Sequence, residues 1–549
     1  THIMLNIFIK SRSFNLLIAI TVAVLTTGFL RLQLFSGLPG SDGGNYTFAA
    51  QFIYDALHNG NNGSLGGMPI YVYQLMTSWV YGLEVNQFIL LRLIDGLVAV
   101  AASIVLFKVI LKESGSTLFT VILMTSLLII MNDIEIVAFG FRNSIWAAFL
   151  PLFSALLIWQ NSTQEDKYSF YLIGALVSFG VLLREPFLPL FILVGIAILI
   201  GYGWRILLKY LIGSAVLGFT LLGFILMLRG WDILDLVNSY TILSAALEKQ
   251  VWQFPWRVIL SANWFIIVTA FISIIYLIKL YWGDKKLVNM NRLYFWLALS
   301  LVPLIEYELK LGTPYHVANC LIGLAGLSAM GWKYISIQES KKINLIAIGV
   351  IGLMSLMILL PTLNKQIVQN NRFFSPVDAV DWVMDPNSLR SGNMIERSQY
   401  LKVAAKVYGL SREDSTLVVS GFWQGIYPLT ELHPPKDPIT GKRNYRFGSL
   451  RAWYVSTNYN QDKMVRLIKK YRPTIIVASG MMSSGKSTWR GEEDMLEIIK
   501  KTNLYEVVAE VKHQFSYDDF FITHVAQKNN PGADEAGFMS ATIYRLKDF

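Results

Sequence analysis

Charged residues are scarce in this chain. Asp, Glu, Lys and Arg together make up 15% of its 549 residues, against about a quarter in soluble domains. Hydrophobic residues make up 54%, and the mean hydropathy is +0.46. This composition excludes an ordinary soluble protein and indicates an integral membrane protein. The formal net charge of +10 is then explained by loop orientation rather than nucleic-acid binding, because Lys and Arg concentrate in cytoplasmic loops.

Cysteine is almost absent. The single Cys320 lies in an apolar run, so no intrachain disulfide can form and an extracytoplasmic domain has to fold without one. Internal repeats and low-complexity segments are also absent. The first apolar run lacks a small-residue cleavage site, so we expect it to remain as a membrane span.

Apolar runs long enough, or nearly long enough, to cross about 30 Å of hydrocarbon recur along the first two-thirds of the chain. With Lys10 and Arg12 inside, eleven crossings place Lys- or Arg-bearing loops in the cytoplasm, as the positive-inside rule requires. The loop 31–87 and everything after about 364 then lie outside. The predicted spans are 14–30, 88–110, 116–131, 144–159, 168–183, 187–203, 205–228, 257–281, 292–309, 315–332 and 343–363.

Residues 364–549 differ in kind from residues 1–363, because charge rises and turn residues appear. Short β-like runs alternate with helical patterns, which favours a small α/β domain. The sequence therefore predicts an α-helical polytopic membrane domain over 1–363 and an extracytoplasmic α/β domain over 364–549. The predicted strands are Thr416–Phe422, Pro473–Ser479, Tyr505–Val511 and Ala541–Leu546, and the predicted helices are 397–409, 461–471 and 491–502.

An acidic residue follows the first span at a position rich in glycine. Asp42 is flanked by Gly40, Gly43 and Gly44, which allow a sharp turn and a close approach of a ligand to the backbone. The alternative is an ordinary polar turn between two helices. An amphipathic stretch from Tyr46 follows, which predicts a helix lying at the membrane interface.

Beyond Asp42, an aromatic-rich segment runs from Pro69 to Trp79, and Arg92 lies at the start of the second span. This order resembles the polytopic GT-C glycosyltransferases, including the protein O-mannosyltransferase and lipid A aminoarabinose transferase types. The resemblance covers about 10–335 and rests on order and spacing.

The resemblance implies a sugar donor on a polyprenyl phosphate, reached from the lipid, and a glycan or lipid-linked acceptor reached from outside. It implies that Asp42 is the general base of the reaction. The expected location of the protein is a bacterial inner or plasma membrane. No nucleotide and no nucleic acid are expected. Many members carry two adjacent acids where this chain has Ser41 and Gly43 beside Asp42, so a requirement for a divalent cation stays open.

A leaving lipid phosphate needs cations or polar groups that stabilise its charge. Arg184, at a predicted outer span end, is one candidate, and its alternative role is an interfacial side chain that snorkels. Lys310, Tyr315 and His316 form a polar patch before the tenth span. This patch resembles the basic and aromatic residues with which the family holds its donor, although His316 could equally cap a helix.

A second acidic site is predicted in the next outer loop, where Asp133 and Glu135 lie two residues apart. On a helix only one of them could face the site, since neighbours on a helix face are three or four apart. Glu135 is favoured as an assisting acid. The alternative for both is a solvated loop position.

The stretch Gly480 to Ser487 matches the phosphate-binding pattern GxxxxGK[ST] and follows a predicted strand. Its predicted location is outside the cell, where ATP is scarce. Trp489, Arg490 and Gly491 also interrupt the helix that should begin at Lys486. We therefore do not expect a nucleotide site there.

Two other functions fit a protein of this class. An oligosaccharyltransferase is disfavoured because the tail lacks the WWDYG signature. A transporter or flippase of a lipid-linked sugar would show inverted repeats and ion-binding residues near mid-membrane. Here the ionisable residues cluster at span ends, which favours the transferase.

Overall fold

Helices account for most of the chain before residue 360. The computed structural model describes residues 12–28, 41–60, 72–83, 87–139, 143–163, 166, 168–183, 187–228, 233–234, 256–283, 290–308, 320–338, 346–357, 360, 399–419, 426–448, 461–483, 486–487, 492–515 and 537–548.

The helices before residue 360 are mostly apolar. α1 continues into a π-helical turn, Val24–Gly28, and α3 continues into a 3₁₀ turn, Ser78–Gly82. They are α1 (Arg12–Ala23), α2 (Ser41–His58), α3 (Val72–Thr77), α4 (Gln87–Ser114), α5 (Thr117–Phe139), α6 (Asn143–Trp159), α7 (Ser169–Leu183), α8 (Leu188–Tyr202), α9 (Trp204–Leu228), α10 (Trp256–Gly283), α11 (Met290–Glu308), α12 (Cys320–Gln338) and α13 (Ile346–Met357).

A helix lies at each of the eleven predicted span positions within the described ranges. Three of the described helices contain segments long and apolar enough to cross a membrane alone, namely Leu93–Ser114, Trp204–Leu228 and Trp264–Trp282. Several others are apolar but shorter. These helices support a polytopic membrane protein, while eleven crossings stay a prediction.

Close helix packing at α7 and α9 depends on two glycines. A Cβ at Gly174 would overlap the carbonyl oxygen of Tyr210, and a Cβ at Gly213 would overlap the carbonyl oxygen of Tyr171. Ser214 Oγ donates to the Gly174 carbonyl across this contact at 2.9 Å. Small residues let backbones approach in this way where lipid provides no hydrophobic driving force between helices.

A buried carboxylate joins three helical segments at the C-terminal end of α4. Glu113 is 3% exposed. It pairs with Arg292 Nη1 of α11 at 3.5 Å and accepts a hydrogen bond from Gln160 Nε2 at 2.6 Å. Lys112 Nζ donates to the Gln160 carbonyl at 2.7 Å. We call these four residues the Glu113 cluster; they bring together the ends of three predicted cytoplasmic loops.

The C-terminal α/β part contains a five-stranded sheet of order β1-β2-β5-β4, with β3 paired to β2. β1 and β2 are parallel, and the other pairs are antiparallel. The four predicted strands and the three predicted helices are present. The elements are α14 (Gln399–Leu410), β1 (Leu417–Val419), α15 (Ile426–Thr430), α16 (Tyr445–Gly448), α17 (Gln461–Tyr471), β2 (Ile475–Ser483), β3 (Lys486–Ser487), α18 (Glu492–Thr502), β4 (Tyr505–Phe515) and β5 (Gly537–Leu546).

Alternation along the strands sends side chains to two different layers. Val418 and Ile476 pack with residues of α17 and α18, such as Ile468 and Ile498. Their neighbours Leu417, Val419, Ile475 and Val477 belong to a core that is continuous with α14, α15 and the membrane helices. One face of the sheet therefore packs toward the helical part of the chain.

The described residues of the GxxxxGK[ST] pattern lie in two antiparallel strands. β2 runs through Gly480 to Ser483, and Lys486 pairs back onto Ser483 in antiparallel register. The next helix in the described chain begins at Glu492, not at Lys486. A phosphate loop requires the helix N-terminus directly after the glycines, so this backbone does not have that geometry.

Candidate functional site

The acid predicted as the base lies on a helix rather than in a turn. α2 begins at Ser41, so Asp42, Gly43 and Gly44 form its first turn. This corrects the predicted glycine turn with a helix only from Tyr46. Ser and Asp are favourable at helix N-termini, and burial of the later turns offsets the helix cost of the glycines. The Asp42 side chain lies outside what the structure describes.

One face of α2 is formed by residues spaced three or four apart. Phe48, Gln51, Phe52, Asp55 and Asn59 follow this spacing, so they point the same way. All but Asn59 are buried. This face contacts the C-terminal α/β part, more than three hundred and fifty positions away in sequence.

The partner of this face is a turn between β1 and α17, residues 433–445. Asp437 accepts hydrogen bonds from the backbone of Ile439 and Thr440 and from Lys470 Nζ at 2.7 Å. These hydrogen bonds hold the pKa of Asp437 well below its usual range. Gly441, with φ +67°, completes the turn. These hydrogen bonds fix the conformation of the 433–445 turn, and with it the positions of the side chains that contact α2.

Asp55 is a buried carboxylate in this contact. It is 5% exposed. Its Oδ2 accepts a hydrogen bond from the Tyr445 hydroxyl and lies 3.4 Å from Arg443 Nε, while its Oδ1 accepts from Asn59 Nδ2 at 3.1 Å. Burial and the Asp55 carboxylate raise the pKa of Tyr445, so its hydroxyl stays a donor. We call these four residues the Asp55 cluster.

Aromatic packing surrounds the Asp55 cluster. The Phe48 ring lies 4.5 Å from the Tyr427 ring and 5.3 Å from the Tyr445 ring, and Phe52 meets Tyr445 edge-on at 5.2 Å. The Tyr427 hydroxyl donates to the Leu417 and Gly448 carbonyls at 2.5 and 2.9 Å. The rings exclude water from the carboxylate, which strengthens its polar contacts.

A second polar contact lies one turn earlier on α2. Gln51 Nε2 and His433 Nδ1 are 2.9 Å apart. An amide nitrogen only donates, so this contact requires an unprotonated Nδ1. Burial, followed by the charge of Arg443, lowers the pKa of His433 to about 4, against an opposite effect of Asp55 and with a smaller contribution of Lys436. The neutral ring fits the contact.

The opposite face of α2 packs on the membrane helices. Ala50 lies in a buried cluster with Val80 and Tyr81 of the 3₁₀ turn and Leu91 of α4. α2 is therefore held between the start of α4 and the 433–445 turn. Because α2 contacts both directly, it lies on the same side of the membrane as the C-terminal α/β part.

The second predicted acidic site also lies on a helix. α5 continues to Phe139, so Asp133 and Glu135 belong to its last turns and not to a loop. Ile134 lies between the two acids and Ile136 follows Glu135, so the apolar pattern continues and the helix extends past the predicted end at 131. The side chains of Asp133 and Glu135 lie outside what the structure describes.

A polar contact lies directly before Asp133. Asn132 is fully buried, and its Nδ2 donates to Thr27 Oγ1 at 3.2 Å. Thr27, in the π-helical turn after α1, lies 2.9 Å from Ser103 Oγ of α4. Single π-helical turns occur frequently at functional sites. These three residues connect α1, α4 and α5 near the segments that carry the predicted acids.

The predicted donor-phosphate residues are not brought together by any described contact. Arg184, Lys310, Tyr315 and His316 all lie outside the described residues. Among the described side chains, no three His, Cys, Asp or Glu residues form a group that could hold a metal ion. The predicted phosphate site therefore stays a prediction.

Sequence reasoning missed Asp55, Arg443, Tyr445 and the fully buried Asp95 of α4. The i, i+4 spacing of Phe48, Phe52 and Asp55 could have shown that Asp55 lies on the buried face of α2. No pattern along the chain could have paired it with Arg443. For Asp95 the signal was its position within an apolar span, where an ionisable residue is functional by default.

No protein-family model and no curated protein sequence matches this chain. Among solved structures, the crystal structure of the Archaeoglobus fulgidus oligosaccharyltransferase in complex with Zn and sulfate matches 84% of this chain and 67% of its own. The two are 14% identical, with a TM-score of 0.42. At this identity and TM-score the match assigns no activity or residue role to this chain.

Proposed function

We propose that this protein is a GT-C-type membrane glycosyltransferase that moves a sugar from a polyprenyl-phosphate donor to a lipid-linked or surface glycan acceptor. The observation that carries the proposal is the placement of Asp42 in the first turn of α2. α2 is a helix buried between the start of a membrane helix and the C-terminal α/β part. We infer that the start of such a helix can be reached both from the lipid and from the aqueous side, as the reaction requires.

The reaction is an inverting displacement. Asp42 removes the proton of the acceptor hydroxyl, and the acceptor oxygen attacks the anomeric carbon from the face opposite the phosphate. The bond between the anomeric carbon and the phosphate oxygen breaks, and polyprenyl phosphate leaves with the bonding electron pair. A positioned carboxylate contributes about 10² to 10⁴ in rate to such a step.

The leaving phosphate requires positive partners, because an unpaired charge in a low-dielectric groove costs several kcal/mol. Arg184 and Lys310 are proposed for this role, with Tyr315 and His316 as polar contacts. Arg184→Lys should restore donor binding only partly in comparison with Arg184→Ala, since Lys cannot make a bidentate contact. Asp133 or Glu135 is proposed to assist at the acceptor side.

Donor turnover by the purified full-length chain tests the proposal. The chain is incubated with a panel of polyprenyl-phosphate sugars and an acceptor glycolipid, with and without a divalent cation, and release of polyprenyl phosphate is measured. We expect release with at least one donor, and inversion at the anomeric carbon of the product. Movement of intact donor across a liposome bilayer, without release of polyprenyl phosphate, would instead identify a flippase.

A further inference from the structure

We infer that the Asp55 cluster is a positioning device, through which the C-terminal α/β part sets the place of the α2 N-terminus. This inference rests on the proposed function, because it assigns a role in that reaction to residues that do not touch the substrate. Asp55, Arg443 and Tyr445 are positioning residues and not catalytic ones. The device joins two parts of the chain nearly four hundred residues apart.

The geometry couples the two ends of α2. Asp55 follows Asp42 by thirteen residues, which on a helix is a separation of about 20 Å. A tilt of α2 by about 3° would move its first turn by about 1 Å over that length. A misplacement of about 1 Å can lower a rate about 100-fold. The orientation of α2 therefore matters to any chemistry at Asp42.

The Asp55 cluster resists such a tilt in a way that apolar packing alone would not. The Asp55 carboxylate accepts hydrogen bonds from Tyr445 and Asn59 and forms an ion pair with Arg443, so its position is defined by three partners. Two of these partners, Tyr445 and Arg443, come from the 433–445 turn. The Asp437 hydrogen bonds to Lys470 and Tyr471 in turn attach this turn to α17. These contacts couple the orientation of α2 to that of the C-terminal α/β part.

A mild variant separates positioning from folding. Tyr445→Phe removes one hydroxyl and keeps the ring that packs against Phe48 and Phe52. Asp55→Asn is the stronger variant. The matched control is Tyr505→Phe, because the Tyr505 hydroxyl is also buried and donates to the Pro473 carbonyl at 2.9 Å, away from α2.

Two readouts are taken for each variant of the full chain. The first is kcat and the donor KM with the polyprenyl-phosphate sugar that the wild type turns over. The second is the rate at which a thiol reagent labels Cys at position 56, introduced as Ala56→Cys in a Cys320→Ser background. Ala56 is buried on α2, so labelling reports loosening of α2 and needs no activity.

We expect Tyr445→Phe and Asp55→Asn to lower kcat about 10- to 100-fold, with the donor KM within about twofold, and to speed labelling at position 56. Tyr505→Phe should match the wild type in kcat, in the donor KM and in the labelling rate. Faster labelling with unchanged kcat, or reduced kcat with unchanged labelling, would overturn the inference. Failure of the wild type to turn over any donor would instead overturn the proposed function, while the labelling rates would still report the contact.

Discussion

Two buried carboxylates, Glu113 and Asp55, are held in similar ways at opposite ends of the membrane part. Glu113 is paired with Arg292 at 3.5 Å and Asp55 with Arg443 at 3.4 Å, and each accepts a further hydrogen bond from an amide side chain. α2 packs on Leu91 near the start of α4, and Glu113 lies near its end. The separation of those two positions is about 33 Å along the helix, close to the thickness of the hydrocarbon core.

The difference between them lies in what each cluster connects. The Glu113 cluster joins membrane helices to one another, so its loss affects stability. The Asp55 cluster joins a helix that carries the proposed base to the C-terminal α/β part, so its loss affects stability and turnover. Chemically similar ion pairs can therefore have different consequences, depending on which segments they hold.

The largest expected effect on stability comes from removing one arginine. Arg292→Ala leaves the Glu113 carboxylate buried with only Gln160 as donor among the contacts described. It should lower the free energy of unfolding by about 3 kcal/mol, the low end for a buried pair, because Arg292 is 27% exposed. Turnover per folded molecule should stay within about twofold. Arg443→Ala should cost a similar amount of stability and also lower kcat. Thermal unfolding in detergent measures the stability of both variants, and turnover of the same samples measures kcat. Equal losses of turnover in Arg292→Ala and Arg443→Ala would show that the two clusters do not differ in their effect on the reaction.

The next effect depends on pH and concerns His433 beside the Asp55 cluster. Its pKa is lowered from the ordinary 6.5 to about 4 by burial, with Arg443 and Lys436 acting in the same direction. The folded state binds a proton at His433 less tightly than the unfolded state does. The stability of the protein is therefore unaffected above about pH 6.5 and declines as the pH falls toward 4. The decline is at most about 3.5 kcal/mol, at about 1.4 kcal/mol per pKa unit.

Thermal unfolding at pH 7 and pH 5 measures this dependence. His433→Gln should flatten it, whereas His58→Gln, at an exposed stacked histidine of the same α2 region, should not. An unchanged dependence in His433→Gln would show that another group is responsible.

A smaller effect is expected from a neutral polar contact between membrane helices. Thr27→Val removes one acceptor of Asn132 Nδ2 and one partner of Ser103, each of which keeps a backbone carbonyl of its own helix. Interhelical hydrogen bonds of this kind contribute about 0.6 kcal/mol on average and at most about 1.7. The unfolding midpoint should therefore fall less than in Arg292→Ala. A larger fall than for Arg292→Ala would mean that the neutral contact stabilises the bundle more than the ion pair does.

The smallest effect belongs to an exposed ion pair in the sheet. Arg545 Nη2 lies 2.6 Å from Glu506 Oε1, and both side chains are about two-fifths exposed. Solvent-exposed pairs contribute about 0–1 kcal/mol. Arg545→Gln should therefore leave turnover unchanged and shift the unfolding midpoint little. A shift as large as that of Arg443→Ala would show that burial does not explain the difference between the pairs.

Much of the secondary structure could be predicted from the sequence, because apolar runs and alternating strands are local signals. The strand at 475–483 and the helix at 461–471 follow directly from such patterns. Helix ends were less predictable. α5 extends past 131 and α2 begins at Ser41 because helices continue through polar or glycine-containing turns when their other turns are buried.

Contacts between distant segments could not be predicted from one chain. Asp55 and Tyr445 are 390 positions apart, and no local pattern relates them. The GxxxxGK[ST] pattern shows that a local sequence match does not by itself determine the local structure. The described residues of this local match to a phosphate loop lie in paired strands, with Lys486 opposite Ser483 on β2.

The most direct test of the proposed function is the turnover of Asp42→Asn with the donor that the wild type uses. The matched control is Asp166→Asn, at a partly exposed carboxylate that accepts from the Thr163 backbone at 2.7 Å. We predict that Asp42→Asn retains donor binding and loses turnover by about 10² to 10⁴, while Asp166→Asn behaves as the wild type. Wild-type turnover in Asp42→Asn, at equal protein level, would contradict the assignment of Asp42 as the base.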